Sequence, residues 1–479
     1  MTRIAIDPVS RVEGHGKITL IQDDDLQITQ ARLHIAEFRG FEKFIQGRPM
    51  NEVPVLVQRL CGICPVSHHL AAAKACDQLV GAHELTPTAL KMRQLMHFGQ
   101  VLQSHALHFF HLSSPDLLFG YDDQARHRNI IGVLAEYPEL GRQGILLRKY
   151  GQEVIRMTAG KRIHGTGAIP GGINKNLSLE ERDYLQKDID QMVDWAEAVV
   201  DLFDEIFHRD LEYNQAFAAI DSNMLSLVRP DGALELYDGG LRARAIDGST
   251  LLDHFANDDY LDVINEHVED WSYMKFPFLR QLGVDQGWYR VGPLARVNNC
   301  DFIDTPLANA RRERFLELSG GRAVQSTLAY HWARLIELLH CAESIRRLLQ
   351  DPDLQGDELV VSGEPQRRGI GIIEAPRGTL IHHYELDEQG LIARANLIVS
   401  TTHNNQAMNQ SIRHVAQHYL DGQKITEPLL NQLEVAVRAY DPCLSCATHA
   451  LGQMPLEVVL EDTQGRVIDR SFKSSADGG

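Results

Sequence analysis

Two pairs of cysteines lie near opposite ends of this 479-residue chain and have the spacing of metal-binding or redox sites. Cys61 and Cys64 belong to the segment RLCGICPVSH (59–68), and Cys443 and Cys446 belong to the segment DPCLSCATH (441–449). Two intervening residues allow both thiolates of a pair to converge on one ion across a turn. Four thiolates together can form one S4 site, and soft sulfur selects zinc, copper(I), an iron–sulfur cluster or another thiophilic metal.

The separation of the two pairs along the chain disfavours a local zinc module. A zinc ribbon usually has about 15–20 residues between its two cysteine pairs, whereas most of this chain lies between Cys64 and Cys443. Spacing alone leaves two alternatives to a shared redox metal site. Either the pairs are independent, one a thiol redox pair and the other buried apolar cysteine, or a zinc ion staples the two ends of the chain together.

The other three cysteines are predicted to be structural. Cys76, Cys300 and Cys341 lie in apolar or helical stretches, where a cysteine usually behaves as a small buried hydrophobe. Seven cysteines in a chain of this length are also too few for a disulfide framework. We therefore assign no function to these three.

The composition indicates an ordinary globular protein and excludes several function classes. Hydrophobic residues make up 44% and charged residues 23%, and the formal net charge is −18. An acidic balance argues against binding to a nucleic acid backbone. The N-terminus has no apolar signal segment, and no run of about eighteen apolar residues predicts a membrane span. We expect a protein of the cytoplasm.

The elements that must position these cysteines are mostly helical. A capping box, Ser178-x-x-Glu181, opens an apolar stripe that continues to Ile206 and predicts one long amphipathic helix. A second stripe, from Val324 to Ile345, has the same spacing. Further helices are predicted over 67–82, 90–112 and 404–420. These patterns predict a helical-bundle core.

Short extended segments flank that helical core. Strands are predicted over 17–21 and 28–38, around the acidic turn 23–25, and over 370–374, 379–386 and 391–399, with a hairpin turn at 387–390. No linker, repeat or low-complexity tract divides the chain. We predict one compact domain of the α+β class, mostly α, with small antiparallel sheets.

Five motifs in a fixed order give the sequence a specific resemblance. They are RVEGH (11–15), RLCGICPVSH (59–68), PGG (170–172), EAPRG (374–378) and DPCLSCATH (441–449). In these motifs, and over almost its whole length, the chain resembles the large catalytic subunit of nickel–iron hydrogenases. The PVSH continuation, the form of the last motif and the lack of a membrane signature are more similar to the cytoplasmic, bidirectional, NAD-linked group than to membrane-bound uptake enzymes.

The resemblance implies a nickel–iron centre that cleaves dihydrogen. Nickel would be held by Cys61, Cys64, Cys443 and Cys446, and an iron that carries carbon monoxide and cyanide would be bridged by Cys64 and Cys446. The family fold, a helical bundle with small sheets, agrees with the pattern of elements above.

The resemblance also implies how protons are handled. Cys443 would accept the first proton and Glu13 would relay it, because a carboxyl group in a dry pocket can reach a working pKa. Arg377 would lie over the open side of the metals as a rival base, with Asp441 as its partner. Without the resemblance, Glu13 reads as a surface carboxylate and Arg377 as one half of a structural salt bridge.

Further residues match sites of the family. Pro376 precedes Arg377 at the metals, Ser400 fits a donor to an iron-bound cyanide, and His68 fits a donor to a bridging thiolate. The alternatives are a capping serine at a strand end and a capping histidine at a helix start. Glu42 and His449 match a magnesium site, to which the carbonyl of Asn396 would contribute.

The resemblance further predicts processing. Residues 1–449 would form the mature domain, and a dedicated endopeptidase would remove the extension 450–479 after nickel insertion, with nickel-insertion proteins as earlier partners. The alternative is a permanent edge hairpin formed by 456–460 and 466–468.

The chain is predicted to need redox partners. It contains no dinucleotide fingerprint after a predicted strand and no further cysteine set for iron–sulfur clusters. The family supplies a small subunit with such clusters, and the NAD-linked group adds diaphorase subunits with FMN that reduce NAD. Coupling to NADP or a deazaflavin remains open, as do two other classes, a zinc-stapled assembly protein and a scaffold subunit of a quinone reductase. The scaffold has no need of all four cysteines together with Arg377.

Overall fold

A computed structural model of the chain describes residues 2–6, 9–25, 27–35, 38–121, 128–419, 427–448, 456–461 and 467–473. About half of the chain is helical. The α-helices of the described residues are α1 (Phe41–Phe44), α2 (Val53–Leu56), α3 (Pro65–Leu79), α4 (Pro87–Leu107), α5 (Ser114–Phe119), α6 (Ile130–Glu136), α7 (Pro138–Ala159), α8 (Leu179–Gln186), α9 (Ile189–Arg209), α10 (Leu211–Ala216), α11 (Tyr260–Val263), α12 (Gly283–Gln286), α13 (Pro293–Asn299), α14 (Pro306–Leu316), α15 (Ala329–Leu349), α16 (Ser400–His403), α17 (Asn405–Tyr419) and α18 (Glu427–Ala439).

The strands form small sheets rather than one large one. They are β1 (Thr2–Ile6), β2 (Gly16–Gln22), β3 (Ile28–Ile35), β4 (Ala168–Ile169), β5 (Gly172–Ile173), β6 (Asn223–Val228), β7 (Gly240–Arg244), β8 (Thr250–Phe255), β9 (Ile264–His267), β10 (Phe276–Leu279), β11 (Tyr289–Arg290), β12 (Arg368–Ala375), β13 (Gly378–Leu386), β14 (Ile392–Ile398), β15 (Leu456–Glu461) and β16 (Val467–Lys473). The sheet orders are β1-β2-β3, β4-β5, β11-β6-β7-β8, β10-β9, β12-β13-β14 and β15-β16. The β11–β6 pair is parallel and every other pairing of these strands is antiparallel.

The N-terminal sheet confirms the predicted strands at 17–21 and 28–38, although β3 ends at Ile35. Residues 36 and 37 lie outside the described residues. The acidic turn closes through the Asp23 carboxylate, which accepts hydrogen bonds from the backbone N–H groups of Asp25 and Gln27. Strand β1 was not predicted with its own bounds from the sequence; it pairs with β2 in register Ile4 to Leu20.

The core is a bundle in which α4 packs against α7 and α15, and α15 packs against α9. The predicted stripe of α9 is buried, including Met192, Val199 and Phe203. The prediction of one continuous helix from 178 to 206 was wrong, because α8 ends at Gln186 and α9 begins at Ile189. At the break, the Leu185 carbonyl accepts hydrogen bonds from the Tyr150 hydroxyl at 2.9 Å and from the Asp188 N–H at 3.5 Å, whereas in a continuous α-helix it would accept from the N–H of Ile189.

Two other predicted helices differ at their ends. Helix α15 begins at Ala329 rather than Val324, since the Val324 N–H donates to the side chain of Asn298. Helix α4 ends at Leu107 and continues as a π-helical turn over His108–Ser113, a form that often marks functional regions. The capping box at Ser178 and Glu181 is confirmed.

The sheet β12-β13-β14 confirms the strand and hairpin predictions near the EAPRG motif. Helix α3, which follows the first cysteine pair, packs directly on β12. Gly371 permits this contact, because a Cβ atom there would lie 2.0 Å from the carbonyl oxygen of Ala71. The helix is therefore held at a fixed distance from the strand that leads into Arg377.

The fold is α+β, mostly α, as predicted. Cys76, Cys300 and Cys341 are fully buried, and burial raises the pKa of the Cys300 thiol to about 11. Within the described ranges, none of the helices is long and apolar enough to cross a membrane.

Candidate metal centre

The four predicted cysteines meet at one point. Their sulfur atoms all lie within 4.8 Å of one another, with 3.2 Å between Cys61 and Cys443 and 2.7 Å between Cys443 and Cys446. All four are buried, and none of them is in a disulfide. Metal–sulfur bonds of about 2.3 Å put two sulfurs of one ion up to about 4.6 Å apart. The observed spread of 4.8 Å is close to that limit, so small shifts of the side chains would let the four sulfurs share one metal centre. The geometry favours a shared site over two independent pairs.

Local structure explains how each pair is presented. Cys64 lies at the N-cap of α3, and Pro65 takes the first helical position, where its missing N–H costs nothing. The backbone N–H groups of Ile63 and Cys64 donate to the Cys61 sulfur at 3.3 and 3.1 Å. Such donors stabilise the thiolate form that binds metal.

The second pair is held by the opposite end of the chain. A short 3-10 turn, Leu444–Cys446, follows α18; Cys443 caps its start and Cys446 is its last residue. Cys443 also forms a parallel β-bridge with Glu13. The N–H of Leu444 donates to the Glu13 carbonyl at 3.0 Å. The RVEGH motif and the last motif are therefore one local structure.

Glu13 contacts Cys443 directly. Its Oε2 atom accepts a hydrogen bond from the Cys443 thiol at 3.0 Å and from the Ser445 N–H at 3.1 Å. The Ser445 hydroxyl donates to the other carboxylate oxygen. Ser445 was missed in the sequence, although it stands between the two cysteines of the motif. The arrangement gives a proton on the Cys443 sulfur an immediate acceptor.

Arg377 and Asp441 form a buried ion pair beside the cysteines. The guanidinium donates to the Asp441 carbonyl at 2.5 Å and to its carboxylate at 3.0 Å. Burial opposes the charge of Arg377, but Asp441 and the nearby thiols hold its pKa well above its ordinary value. Burial also raises the pKa of Asp441. The Nη1 atom of Arg377 is buried and has no hydrogen-bond partner in the described part of the chain.

A second arginine, missed in the sequence, holds the EAPRG loop. Arg296 donates to Glu337 at 2.6 Å, to Glu374 at 2.7 Å and to the Ala375 carbonyl at 2.9 Å. Although burial favours the neutral form of Glu337, Arg296 lowers its pKa to about 2. Arg377 is thus placed by a buried network that joins α13, α15 and β12. No local signal distinguishes Arg296 from other arginines in the sequence.

A small cavity separates the cysteines from the EAPRG loop. Of the residues predicted to touch the metals, it brings together His68, Pro376, Arg377 and Ser400 with Cys64, Cys443 and Cys446; its other lining residues are Ala375, Leu380, Val399 and Thr401. The Ser400 hydroxyl donates to the Gly378 carbonyl at 2.7 Å. Thr401, which was missed, accepts a hydrogen bond from the Cys443 N–H at 2.9 Å. The walls of the cavity are mainly apolar with a few polar groups, as is typical of a site for a buried cofactor.

Crowding of the sulfurs separates their proton affinities. Hydrogen bonds from the Cys443, Cys446 and Cys61 thiols lower the pKa of Cys64 well below its ordinary value. Burial raises the pKa of Cys443 and Cys446. Four crowded, buried cysteine sulfurs are a suitable donor set for a cation, whose positive charge favours their thiolate forms.

The magnesium prediction is only partly covered by the described residues. Glu42, in α1, accepts a hydrogen bond from the Leu397 N–H at 2.8 Å, and its burial raises the pKa of its carboxyl group. This places it next to Asn396, whose carbonyl was the predicted third ligand. His449 lies outside the described residues.

Comparison with known proteins agrees with this geometry. The profile of the family described as nickel-dependent hydrogenase matches residues 39–119 and 233–449, and a profile described as HoxL-like matches residues 3–38. The NAD-reducing hydrogenase HoxS subunit beta of Cupriavidus necator is 48% identical over 98% of this chain and 99% of that protein. One chain of the F420-non-reducing hydrogenase of Methanothermobacter thermautotrophicus is 43% identical over 98% of this chain and 100% of that protein.

Solved structures show the same fold. A crystal structure of an NAD+-reducing [NiFe]-hydrogenase in the H2-reduced state matches with a TM-score of 0.92 at 58% identity, covering 94% of this chain and 100% of that one. The Ni-Fe-Se hydrogenase of D. vulgaris Hildenborough shares the fold, with a TM-score of 0.73 at 24% identity over 94% of this chain and 100% of that one. The chain belongs to the nickel-dependent hydrogenase family and is the large, catalytic subunit of such an oxidoreductase.

Proposed function

We propose that this chain is the catalytic subunit of an NAD-reducing hydrogenase, in which H2 is cleaved reversibly and its electrons pass through an iron–sulfur partner to NAD. The observation that carries the proposal is the buried cluster of four cysteine sulfurs within 4.8 Å, with Glu13 3.0 Å from Cys443. NAD as the final acceptor is supported by the relatives named NAD-reducing at 48% and 58% identity. NADP and a deazaflavin are the competing acceptors.

The donor set suits the metals of the family. Cys61, Cys64, Cys443 and Cys446 would hold nickel, and Cys64 and Cys446 would also hold an iron with carbon monoxide and cyanide ligands. When bound, the centre supplies the open coordination position at which H2 is split and the first acceptor of its electrons. The cavity beside the sulfurs offers Pro376 as an apolar wall and Ser400 as a hydroxyl for the iron ligands.

Protons leave the centre through the direct contact between Cys443 and Glu13. The Cys443 sulfur takes the proton first, and the Glu13 carboxylate, 3.0 Å away, takes it next. The Ser445 N–H and hydroxyl hold both oxygens of Glu13, so that one of them faces the sulfur. Because Glu13 is only half-buried, it can pass the proton onwards towards water.

Arg377 orients and polarises the H2 that enters the cavity. Its pair with Asp441 keeps the guanidinium charged and fixed, so that it can stabilise developing negative charge at the metals. Because its pKa lies well above its ordinary range, Arg377 stays protonated and has no site to accept a further proton, which favours Cys443 as the first proton acceptor. Asp441 acts through Arg377 and positions it.

We further propose a magnesium site at the end of the mature chain and removal of the C-terminal extension. Glu42, the Asn396 carbonyl and His449 would hold Mg2+ and tie α1 and β14 to the end of the mature chain. Residues 1–449 would be the mature domain. An endopeptidase would remove residues 450–479 after nickel-insertion proteins have acted.

The partners follow from the need to carry electrons. A small subunit with iron–sulfur clusters would receive them, and diaphorase subunits with FMN would reduce NAD. An enzyme that reduces NAD works where the NAD pool is kept, which supports a cytoplasmic location.

Infrared spectroscopy of the natively purified complex tests the metal centre. Metal-bound carbon monoxide and cyanide absorb where proteins are nearly transparent, so one carbonyl band and two cyanide bands are expected. A spectrum with no bands, together with one zinc per chain, would contradict the proposal and favour a zinc staple.

The electron acceptor needs a separate test. The purified complex under H2 should reduce NAD+ faster than NADP+ or a deazaflavin at equal concentration. Preference for either of the other acceptors would overturn the NAD assignment and leave the metal centre untouched.

A further inference from the structure

We infer that His382 and Tyr384 are positioning residues that fix the proton of His68 on its Nε2 atom, so that His68 donates a hydrogen bond to the Cys64 sulfur. The inference rests on the proposed function, because Cys64 is a proposed ligand of both metals. It adds two residues of strand β13 that neither motif nor spacing singled out.

The three side chains form an unbroken chain of hydrogen bonds that begins inside the strand. The Tyr384 hydroxyl lies 2.5 Å from His382 Nδ1, and His382 Nε2 lies 3.1 Å from His68 Nδ1. His382 and Tyr384 are two residues apart and so project from the same face of β13, as does Leu380 of the cavity wall. His68, His382 and Tyr384 are at most 1% exposed.

The direction of the chain follows from the tyrosine. Burial raises the pKa of Tyr384 well above its ordinary value, so the hydroxyl keeps its proton. Among the described residues, His382 Nδ1 is the hydrogen-bond partner that the structure gives this hydroxyl. Leaving an O–H without an acceptor in a dry core is unfavourable, so the hydroxyl donates and His382 Nδ1 accepts.

Each following proton is then determined. A neutral imidazole that accepts at Nδ1 carries its proton on Nε2. His382 therefore donates from Nε2 to Nδ1 of His68, and His68 in turn carries its proton on Nε2. A histidine tautomer is commonly set in this way by the hydrogen bond at its other nitrogen.

The other end of this chain of hydrogen bonds, His68, lies at the candidate metal site. Cys64 and His68 both line the cavity and lie one helical turn apart at the start of α3, and a hydrogen bond with His68 contributes to the low pKa of Cys64. Because His68 Nδ1 is engaged by His382, Nε2 is the nitrogen left to donate to Cys64. A hydrogen bond donated to a metal-bound thiolate withdraws electron density from the sulfur and tunes the metal.

The proposed test is the infrared spectrum of the complex with Tyr384→Phe, which removes one hydroxyl and keeps the ring. Without that donor, His382 no longer has a fixed tautomer and His68 donates less to Cys64. A more electron-rich sulfur pushes density onto the iron, so the carbonyl band is expected to move to lower wavenumber. Turnover should fall by about 10-fold, as is typical of partners behind metal ligands.

Two further variants isolate the relay. His68→Ala should shift the band in the same direction, and adding Tyr384→Phe to it should cause no further shift, because both changes remove the same interaction. In His382→Gln combined with Tyr384→Phe, the glutamine amide can donate to His68 Nδ1 without the tyrosine, and the wild-type band position should return.

The control is Tyr289→Phe, which deletes an equally buried tyrosine hydroxyl that lies 2.7 Å from Nδ1 of a different histidine, His403. Its band should stay at the wild-type position. An unshifted band in Tyr384→Phe with normal metal content would overturn the inference. If Tyr384→Phe does not load metal, restored loading in the glutamine double variant supports the relay, and continued failure assigns Tyr384 to packing alone. A wild-type complex without carbonyl bands instead refutes the proposed function.

Discussion

Single residues at the centre differ in how far their chemistry depends on neighbours. Glu13 is half-buried and would be an ordinary carboxylate elsewhere, but three donors from Cys443 and Ser445 fix its orientation. Arg377 is almost fully buried and is matched to one carboxylate, Asp441. The first arrangement suits a group that takes up and releases protons, and the second suits a charge that stays in place.

Replacement of Glu13 by Gln tests the proton relay. The amide keeps the shape of the side chain but cannot take up a proton, so H2-dependent dye reduction should fall by about 100- to 10,000-fold. Metal content and the infrared bands should remain those of the wild type. Glu52→Gln, at an exposed carboxylate before α2, should keep full activity. Wild-type turnover in Glu13→Gln would exclude Glu13 from the relay.

Replacement of Arg377 separates its structural role from its role in catalysis. Arg377→Met leaves the Asp441 carboxylate buried without a partner, which should lower the free energy of unfolding by about 3–5 kcal/mol. The double variant Arg377→Met with Asp441→Asn removes the stranded charge and should recover most of that loss in thermal unfolding of the complex. Its H2 turnover should remain low. Recovery of turnover together with stability would reduce Arg377 to a salt-bridge residue.

At the scale of elements, the loop between β12 and β13 determines the shape of the cavity. The antiparallel register pairs Ala375 with Gly378, so Pro376 and Arg377 form the tightest possible connection. Arg296 holds the loop from one side, and the Ser400 hydroxyl holds the Gly378 carbonyl from the other. Arg377 therefore lines the cavity beside the cysteines from a rigid turn.

Gly378→Ala should show how tightly this turn is packed. Gly378 has φ 137°, and an added Cβ would lie 2.2 Å from a methyl carbon of Val291 and 2.8 Å from the Gly292 nitrogen. Gly390, in the hairpin turn of the same sheet, also has positive φ but no atom within 4 Å of an added Cβ. Gly390→Ala should cost about 1–2 kcal/mol from backbone strain alone. Gly378→Ala should lower the thermal midpoint more and reduce metal content, and equal midpoints for the two variants would contradict this account.

At the scale of the whole molecule, the centre exists only when both ends of the chain have closed. Cys61 and Cys64 come from the first cysteine motif and Cys443 and Cys446 from the last, and Glu13 bridges the N-terminal segment to Cys443. Little of the site is local in sequence. Assembly of the centre should therefore be the last step of folding rather than the first.

Processing of the C-terminus tests this order of events. The intact mass of the large subunit from the active complex should correspond to a chain that ends at His449, and a preparation made without nickel should retain residues 450–479. A mature, metal-loaded subunit that ends at Gly479 would rule out cleavage after nickel insertion. Nickel content measured on the same samples serves as the control.

Local patterns were sufficient for most elements and insufficient for their ends. The strands around 370–399 and the capping box at Ser178 were predicted correctly, because turn chemistry and hydrophobic period are properties of neighbouring residues. The break between α8 and α9 could not be predicted, because the Tyr150 hydroxyl that donates to the Leu185 carbonyl at this break belongs to another helix, α7. The first 45 residues were predicted to be extended, and the bounds of strand β1 within them are set by its pairing with β2.

The sequence by itself determined which cysteines are the candidate ligands and which family the chain resembles. Cys-x-x-Cys spacing and the five ordered motifs can be recognised without any knowledge of distances in the fold. Only the tertiary structure decided that the four sulfurs form one cluster. It also showed that Ser445 binds Glu13 and that Arg296 holds the loop of Arg377. The hydrogen bonds from Tyr384 through His382 to His68 were likewise visible only in the structure. The contacts of Glu13 with Cys443 and of His68 with His382 join residues 430 and 314 positions apart. Such pairings depend on how helices and sheets pack, and packing leaves no periodic trace in the chain.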